Sequence, residues 1–422
     1  MNLFMIVMYS YLAAMGIAVW FYYRTLIPGL TSWLWPLAVV GCTASYLVSH
    51  SGYIVHPEPL ARALAWIGNV WILFGFYSLL LMLLNGILII PAKIFGVHYR
   101  FSTPLAVIGL VVISASIIFG IYKAMNPIVR TETVAASKNI EADTKIVLVT
   151  DLHLGHINAL GAAQDVVQRI NAQKPDLVLI GGDIVDEKLS YVLDNGSLEA
   201  LKFDAPLGTY AVYGNHDYLD GEMKEIRRIL GANGITLLEN ESAMLPQGIK
   251  LTGLRDYSRD RGTEALERLA EGNADYFSVL IDHQPRRLFE AAKAGYDLSV
   301  SGHTHAGQVW PFRYITQSMY LLDYGMTYVD GMAAIVSNGN GFWGPPVRMG
   351  PYPEIVVINV KKAGYNSAPL KRAVFFFVRN MLSKPLNCNF FNNVYLKLRF
   401  VHKNPYKNNK ILACKTLKCY NL

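Results

Sequence analysis

The sequence predicts an α/β domain that follows a helical membrane region, and three observations support this prediction. Hydrophobic residues make up 52% of the 422 residues and charged residues only 16%, well below the ~25% charged residues of soluble proteins. The apolar residues are concentrated in the first 122 positions, whereas residues 144–360 alternate short apolar strands with helical patterns. Side chains that bind metals follow several of those strands.

Four apolar runs fill the first third of the chain. They cover roughly residues 3–23, 33–55, 66–90 and 104–122. Each approaches the ~20 residues that a helix needs to cross about 30 Å of hydrocarbon. Four such runs in succession, none containing Asp, Glu, Lys or Arg, are atypical of buried core helices. We therefore expect a transmembrane region of about four spans in residues 1–122, followed by a linker at 123–143.

The basic residues next to these runs hardly fix the orientation in the membrane. Cytoplasmic loops carry an excess of Lys and Arg, but here three basic residues on one side face three on the other. These are Arg62, Lys123 and Arg130 against Arg24, Lys93 and Arg100. Only Lys138, slightly farther out, favours a cytoplasmic catalytic domain.

From about residue 144 the pattern changes to short strands that each end before polar residues. The predicted strands are 145–150, 176–182, 209–214, 277–282 and 297–302. Helical patterns at 159–173, 221–233 and 286–294 lie between them, which favours an α/β sheet with functional groups at the carboxyl ends of its strands. The later strands 331–337 and 354–360 have no intervening helix, so we expect mixed sheets.

The residues that follow the strands form a set that suits a metal centre. They are Asp151 and His153, then Asp183, then Asn215, His216 and Asp217, then His283, and finally His303 and His305. Each is common by itself, but five separate segments here deliver oxygen or imidazole ligands to one sheet edge. Residues 43–387 contain no cysteine. This ligand set is suited to Mn, Fe or Zn rather than to an ion that prefers thiolates.

The order of these segments, D-x-H, GD, GNHD, H and GHTH over roughly residues 145–360, resembles the calcineurin-like metallophosphoesterase superfamily. The segments LIDHQP, SGHTHAGQ and VSNGNGFWGPPVRMGPYPEI resemble its bacterial membrane-associated branch. That branch includes lipid-directed hydrolases related to UDP-2,3-diacylglucosamine pyrophosphatases. The resemblance implies a four-layer αββα sandwich at residues 144–360 and a multi-pass protein of the bacterial cell membrane.

The resemblance also implies a site with two divalent metal ions, with Mn expected and Fe, Zn or Mg as alternatives. One ion would be held by Asp151, His153 and His305, the other by Asn215, His283 and His303, with Asp183 bridging both. Two cations about 3.5–4 Å apart require an anionic bridge to offset their repulsion. A carboxylate supplies that charge.

The resemblance implies that His216 is the acid that protonates the leaving group, and Asp217 is expected to orient it. Asp217 could instead cap a helix that starts near Leu219. Arg348 could bind a substrate phosphate or pair with a nearby acid. Three further polar residues near these segments, His156, Asp186 and Asp282, are interpreted as surface residues, turn residues or neighbours of the ligands.

The last segment, residues 361–422, holds 13 Lys/Arg and no Asp/Glu. Residues 1–360 therefore carry 25 Lys/Arg against 31 Asp/Glu, a net charge of −6, so the overall charge of +7 does not indicate nucleic acid binding. This basic tail could attract anionic lipid headgroups. We favour the alternative, a weakly structured stretch outside the family pattern.

These observations leave three hypotheses for function. The first is a metal-dependent phosphodiesterase or pyrophosphatase that acts on a membrane-resident, lipid-linked substrate, because a tethered enzyme meets such substrates at the bilayer. The second is the same hydrolysis of a soluble nucleotide or phosphoester. The third is a membrane sensor whose phosphoesterase-like domain binds a ligand without turnover, although the intact ligand set and His216 argue against it.

Overall fold

The computed structural model describes residues 3–30, 32–51, 58–96, 102–138, 140–186 and 188–362. The final described strand ends at Lys361. The predictions for the basic tail therefore fall outside the described residues from position 363 onward.

Four helices occupy the apolar first third of the chain. They are α1 (Leu3–Leu26), α2 (Leu34–Ser51), α3 (Glu58–Ile94) and α4 (Ser102–Ala124). Among the described helices, α3 and α4 are long and apolar enough to cross a membrane, judged by length and composition, and the apolar part of α2 is shorter. Two candidate spans are thus found, and the expected region of four spans is not confirmed.

The two candidate spans expose most of their apolar surface. Only 28% of the most apolar stretch of α3 and 22% of that of α4 is buried, far less than in the core helix of a soluble domain. Leu83 is 61% exposed on α3 and Val111 is 62% exposed on α4. The four helices bury a separate small core around Tyr23, Trp71 and Ala106. They therefore pack together while an apolar outer surface faces away from the protein.

The rest of the described chain contains two six-stranded sheets. In spatial order, the first consists of β1 (Ile128–Ala135), β12 (Glu354–Lys361), β2 (Thr144–Val149), β3 (Leu177–Ile180), β4 (Thr209–Ala211) and β5 (Ile235–Leu237). The second consists of β10 (Gly325–Val329), β11 (Met332–Val336), β9 (Leu298–Ser301), β8 (Phe277–Ile281), β7 (Ile249–Gly253) and β6 (Glu241–Leu245). In the first sheet, strands β2 to β5 are parallel to one another and β12 runs antiparallel to β2. In the second sheet, β7, β8, β9 and β11 are parallel, and the edge strands β6 and β10 run antiparallel to their neighbours. The sheets are mixed, as predicted.

Helices cover the outer faces of both sheets. They are α5 (Leu160–Ala172), α6 (Leu189–Asn195), α7 (Met223–Ala232), α8 (Glu264–Leu269) and α9 (Leu288–Lys293). The helix α10 (Arg313–Met319) buries none of its residues. Strand β2 shows how the layers arise, because successive side chains point to opposite faces of a sheet. Val147 and Val149 join a core with α5 and α7, whereas Ile146 and Leu148 join a core shared with the second sheet. A third core lies between the second sheet and α8 and α9, which completes the order helix, sheet, sheet, helix.

The segment 123–143, expected to be a linker, contributes β1 to the first sheet. This strand pairs in parallel with β12 over its whole length. Its Arg130 donates to both carboxylate oxygens of Glu354 at 3.0 Å, and Glu354 is fully buried. Strand β1 therefore belongs to the sandwich, although most of its residues are exposed or half-buried.

Candidate metal centre

The carboxyl ends of strands from both sheets meet at one edge of the sandwich. The loops after β2, β3, β4, β8 and β9 carry the expected metal ligands. The structure brings together three groups whose potential ligand atoms all lie within 4.8 Å of one another. The groups are Asp151, His153 and His305; His153, Asp183 and His216; and Asp183, His283 and His303.

The first group has the geometry of a cation site. The Nε2 atoms of His153 and His305 lie 3.0 Å apart, and the Nε2 atom of His305 lies 3.4 Å from Oδ1 of Asp151. All three residues are buried. Two imidazole nitrogens and a carboxylate facing one point in a buried space need a shared cation or proton, since buried lone pairs without a partner are costly. These residues therefore fit a divalent ion.

The group of Asp183, His283 and His303 lies beside the first one. Oδ2 of Asp183 is 3.2 Å from Nε2 of His283 and 3.7 Å from Nε2 of His153. The amide oxygen Oδ1 of Asn215 is 3.3 Å from Nε2 of His283. The Nδ1–H of His283 donates to the Gly181 carbonyl at 2.8 Å, which leaves its Nε2 lone pair free for a metal. The Asp183 carboxylate thus stands between both groups.

Several of these residues adopt left-handed backbone conformations. The φ angles are 54° at Asp151, 45° at His153, 51° at Asp183, 71° at His303 and 49° at His305. Residues other than glycine avoid this region, and each such residue costs on the order of 1–3 kcal/mol. A cluster of positive φ angles at the proposed ligands is typical of a functional site, where the surrounding structure holds the strained backbone in place.

Two motif glycines make room for the carboxylates. A Cβ atom at Gly214 would lie 2.1 Å from Oδ1 of Asp183, and one at Gly302 would lie 2.3 Å from Oδ2 of Asp151. Any larger residue would push these carboxylates away. The glycine that precedes Asn215 and the one that precedes His303 are therefore required by close approach rather than by turn geometry alone.

His216 is placed and charged as a proton donor. Its backbone N–H donates to Oδ1 of Asp183 at 2.8 Å, and its Nδ1–H donates to the carbonyl of Asp186 at 2.9 Å. Burial alone would lower its pKa, but the hydrogen bond to Asp186 and the charges of Asp183 and Asp186 raise the pKa of His216 to about 9. These carboxylates therefore favour the protonated form of the ring.

Asp186 is the functional residue that the sequence interpretation underestimated. Its Oδ1 accepts from Nδ1 of His153 at 2.8 Å and lies 3.2 Å from Nδ1 of His216. Burial by itself would raise the pKa of Asp186. The two imidazoles outweigh burial and lower this pKa to about 2. One carboxylate therefore orients both a proposed metal ligand and the proposed acid. Its place three residues after Asp183, inside GDIVD, was the available signal.

Asp217 does not match its expected role as the partner of His216. Its carboxylate accepts from the backbone N–H groups of Ile184 and Val185, both at 2.9 Å, and of Gly214 at 2.7 Å. Burial raises its pKa to about 7. The alternative of a helix cap near Leu219 does not hold either, since α7 begins at Met223. Asp217 instead joins the loop after β3 to the loop after β4.

Arg348 was expected to meet a substrate phosphate or an acid, but its contacts differ from both. It is completely buried. Its guanidinium donates to the carbonyl of His305 at 3.1 Å, to Nδ1 of His305 at 3.0 Å, and to the carbonyl of Gly341. Arg348 therefore fixes the position of His305 through its carbonyl and Nδ1, while Nε2 of His305 faces the other proposed ligands.

Two further polar residues have the ordinary surroundings that were expected of them. Asp282 forms a buried ion pair with Arg287 at 2.7 Å. His156 is half-buried and packs on the Tyr191 ring at a centroid distance of 3.6 Å. It lines a cavity of about 40 Å³ between the helices and the sandwich.

A larger cleft opens directly at the metal centre. Its volume is about 480 Å³, and Asp183, Asn215, His216 and His303 line it. The segment that contains α10 also lines it, together with Trp343. A phosphate held by the metal ligands would thus have space beside it for the rest of a substrate.

The chain is similar to several known proteins. The family model described as calcineurin-like phosphoesterase matches residues 144–307. An uncharacterized metallophosphoesterase of Campylobacter jejuni is 32% identical over 266 residues, which cover 60% of this chain and 69% of that protein. A transmembrane protein with a metallophosphoesterase domain from Danio rerio is 28% identical over 277 residues, which cover 61% of this chain and 63% of that protein. Among solved structures, a dimetal phosphatase from Danio rerio matches with a TM-score of 0.36 and 12% identity, covering 53% of this chain and 98% of that chain.

Proposed function

Because the chain belongs to the calcineurin-like phosphoesterase family of metal-dependent phosphoester hydrolases, we propose that it hydrolyses a phosphodiester or pyrophosphate bond in a lipid-linked substrate. The observation that carries the proposal is the place of Asp183 between two groups of ligands. A carboxylate in that position can bridge two cations, which is the arrangement that phosphoester hydrolysis uses.

The proposed assignment of ligands follows the distances. Asp151, His153 and His305 would hold one ion, Asn215, His283 and His303 would hold the other, and Asp183 would serve both. All seven donors are carboxylate, amide or imidazole groups, which suit Mn and also Fe or Zn. When bound, such ions supply Lewis-acid stabilisation of the phosphoryl oxygens and lower the pKa of a water.

The chain's own contribution to the reaction is the placement and supply of a proton. His216 lines the cleft, and its Nδ1 is bound to the Asp186 carbonyl, so Nε2 is the atom that can donate to a leaving-group oxygen. With a pKa raised to about 9 by Asp186 and Asp183, the ring carries that proton at neutral pH. A positioned acid contributes typically about 10²–10⁴-fold to such a rate.

The lipid-linked part of the proposal is supported by the helical region. The apolar outer surfaces of α3 and α4 suit contact with lipid. A relative named as a transmembrane protein matches 61% of this chain. We propose that α1 and α2 complete a multi-pass anchor, with the catalytic domain on the cytoplasmic side, and that this anchor keeps the metal centre at the bilayer.

The proposal is tested with the full chain purified in detergent and stripped of metal by a chelator. Rates are then measured on bis(p-nitrophenyl) phosphate, p-nitrophenyl phosphate, soluble nucleotides with diester or pyrophosphate bonds, and a panel of lipid-linked diesters and pyrophosphates, after addition of Mn, Fe, Zn or Mg. We expect no turnover without metal, the best recovery with Mn, and the highest kcat/KM on a lipid-linked substrate. Turnover that persists after chelation would refute the two-metal assignment, and preference for a soluble nucleotide would refute the lipid-linked substrate.

A further inference from the structure

Apolar side chains form one side of the cleft at the metal centre. Phe312, Ile315 and Met319, spaced at i, i+3 and i+7 along the segment that contains α10, line it, and Trp343 joins them from a separate loop. This spacing places the three residues on one helical face. We call these four residues the apolar wall.

The apolar wall is unusually exposed for its composition. Ile315 is 51% exposed, Met319 53% and Trp343 47%, and the neighbouring Trp310 is 56% exposed. Contiguous exposed apolar side chains beside a polar catalytic site mark a surface that a ligand or a membrane covers. The polar metal ligands that line the same cleft can hold a phosphate, but they provide no contact for an apolar part of a substrate.

The apolar wall is continuous with α3, one of the two candidate membrane spans. The Phe312 ring packs against the Phe76 ring of α3 at a centroid distance of 5.4 Å. The Tyr77 hydroxyl of α3 donates to the Trp310 carbonyl at 2.6 Å. The cleft therefore has the metal centre on one side, while its apolar side begins against α3.

From this geometry we propose that the apolar wall binds the hydrocarbon chain of a lipid-linked phosphoester whose phosphate lies at the metal centre. A hydrocarbon chain is the expected occupant because the wall adjoins α3. A substrate that enters from the α3 side brings its chain along the wall before its phosphate reaches Asp183. This inference rests on the proposed function and adds to it a site for the chain.

The test uses p-nitrophenyl alkyl phosphodiesters with ethyl, butyl, hexyl and octyl groups as probes. Rates are measured on the Mn-loaded full chain in one fixed detergent. Each probe is used below the concentration at which the probe itself forms micelles. We expect kcat/KM to rise with chain length by up to about fourfold for each methylene that becomes buried. The doubly substituted Ile315→Ser, Met319→Ser protein should lose most of this rise, measured as the ratio of kcat/KM on the octyl ester to kcat/KM on the ethyl ester.

A matched control separates the wall from general surface polarity. Phe289 on α9 is 55% exposed and does not line the cleft, so Phe289→Ser should keep the full rise. Ile315→Leu with Met319→Leu should also keep it, because apolar contact is retained.

The outcomes distinguish this inference from the proposed function. Mn-dependent hydrolysis of the ethyl ester with no dependence on chain length would overturn the chain site, and would assign the wall to contact with the bilayer or with a second copy. An equal rise in the wild type and the serine variant would overturn it as well. Absence of any Mn-dependent hydrolysis would instead contradict the proposed function itself.

Discussion

Asp186→Asn is the substitution that most sharply separates the roles of the residues around the metals. The change keeps the shape of the side chain and removes its charge. The Oδ1 atom of this carboxylate accepts a hydrogen bond from Nδ1 of His153 at 2.8 Å and lies 3.2 Å from Nδ1 of His216. An asparagine keeps an oxygen that can accept at this place, but it carries no negative charge to stabilise the two imidazoles.

The size of the effect follows from these two contacts. Losing the partner that orients a metal-binding histidine typically costs about 10–100-fold in metal affinity or activity, which is roughly 1.4–2.7 kcal/mol. The second effect acts on His216, whose pKa is raised to about 9 by the hydrogen bond to Asp186 and by nearby carboxylates. A raised pKa keeps the acid protonated below about pH 9, and that protonation is lost as the pH rises through this value. In Asp186→Asn the loss of rate on raising the pH should therefore begin at a lower pH.

Two measurements check this prediction. Metal affinity is obtained by titrating the metal-free protein with Mn, and kcat is followed from pH 6 to 10 at saturating Mn. Asp165→Asn is the control, because Asp165 is a surface carboxylate on α5 that pairs with Arg169, and it should change neither quantity. Unchanged Mn affinity together with an unchanged pH profile in Asp186→Asn would refute the role assigned to this carboxylate.

Three further predictions follow from other contacts. His216→Gln should keep two ions per chain by elemental analysis, while kcat falls by roughly 10²–10⁴-fold. The loss of kcat should be smaller for esters with good leaving groups, and an equal loss across leaving groups would exclude a role of His216 as the acid. Within a truncated chain that begins at Pro127, Arg130→Met should lower the free energy of unfolding in urea by about 3–5 kcal/mol, because it removes the cation that pairs with the buried Glu354 carboxylate and leaves the neutral Tyr324 hydroxyl as its partner. A change below about 1 kcal/mol would mean that β1 contributes little to the sheet. Removal of residues 366–422 should leave metal content and small-ester turnover unchanged, since the last described strand ends at Lys361; loss of bound metal would show that the tail is part of the fold.

The sequence predicted the parts of the site that depend on local patterns. Each expected ligand follows a short apolar strand, and the carboxyl ends of parallel strands meet at a sheet edge. For that reason Asp151, Asp183 and His283 could be grouped before their distances were known. The mixed sheets were also predictable, because the strands after residue 330 lack intervening helices.

Contacts between distant segments were not predictable in the same way. Asp217 stands next to His216 in sequence, yet its carboxylate binds backbone amides, and Asp186 from another loop contacts the ring. Arg348 lies 43 residues after His305, and nothing in the local pattern indicates that they touch. Strand β1 escaped prediction because an exposed edge strand shows only a weak alternation of apolar residues.

Metal content and turnover of Asp183→Asn test the central claim most directly, since this residue alone is proposed to serve both ions. Wild-type protein should hold two divalent ions per chain and lose all turnover when they are chelated. Asp183→Asn should bind fewer ions and lose turnover together with them, although its fold is kept. A variant that retains two ions and near-normal hydrolysis would contradict the account.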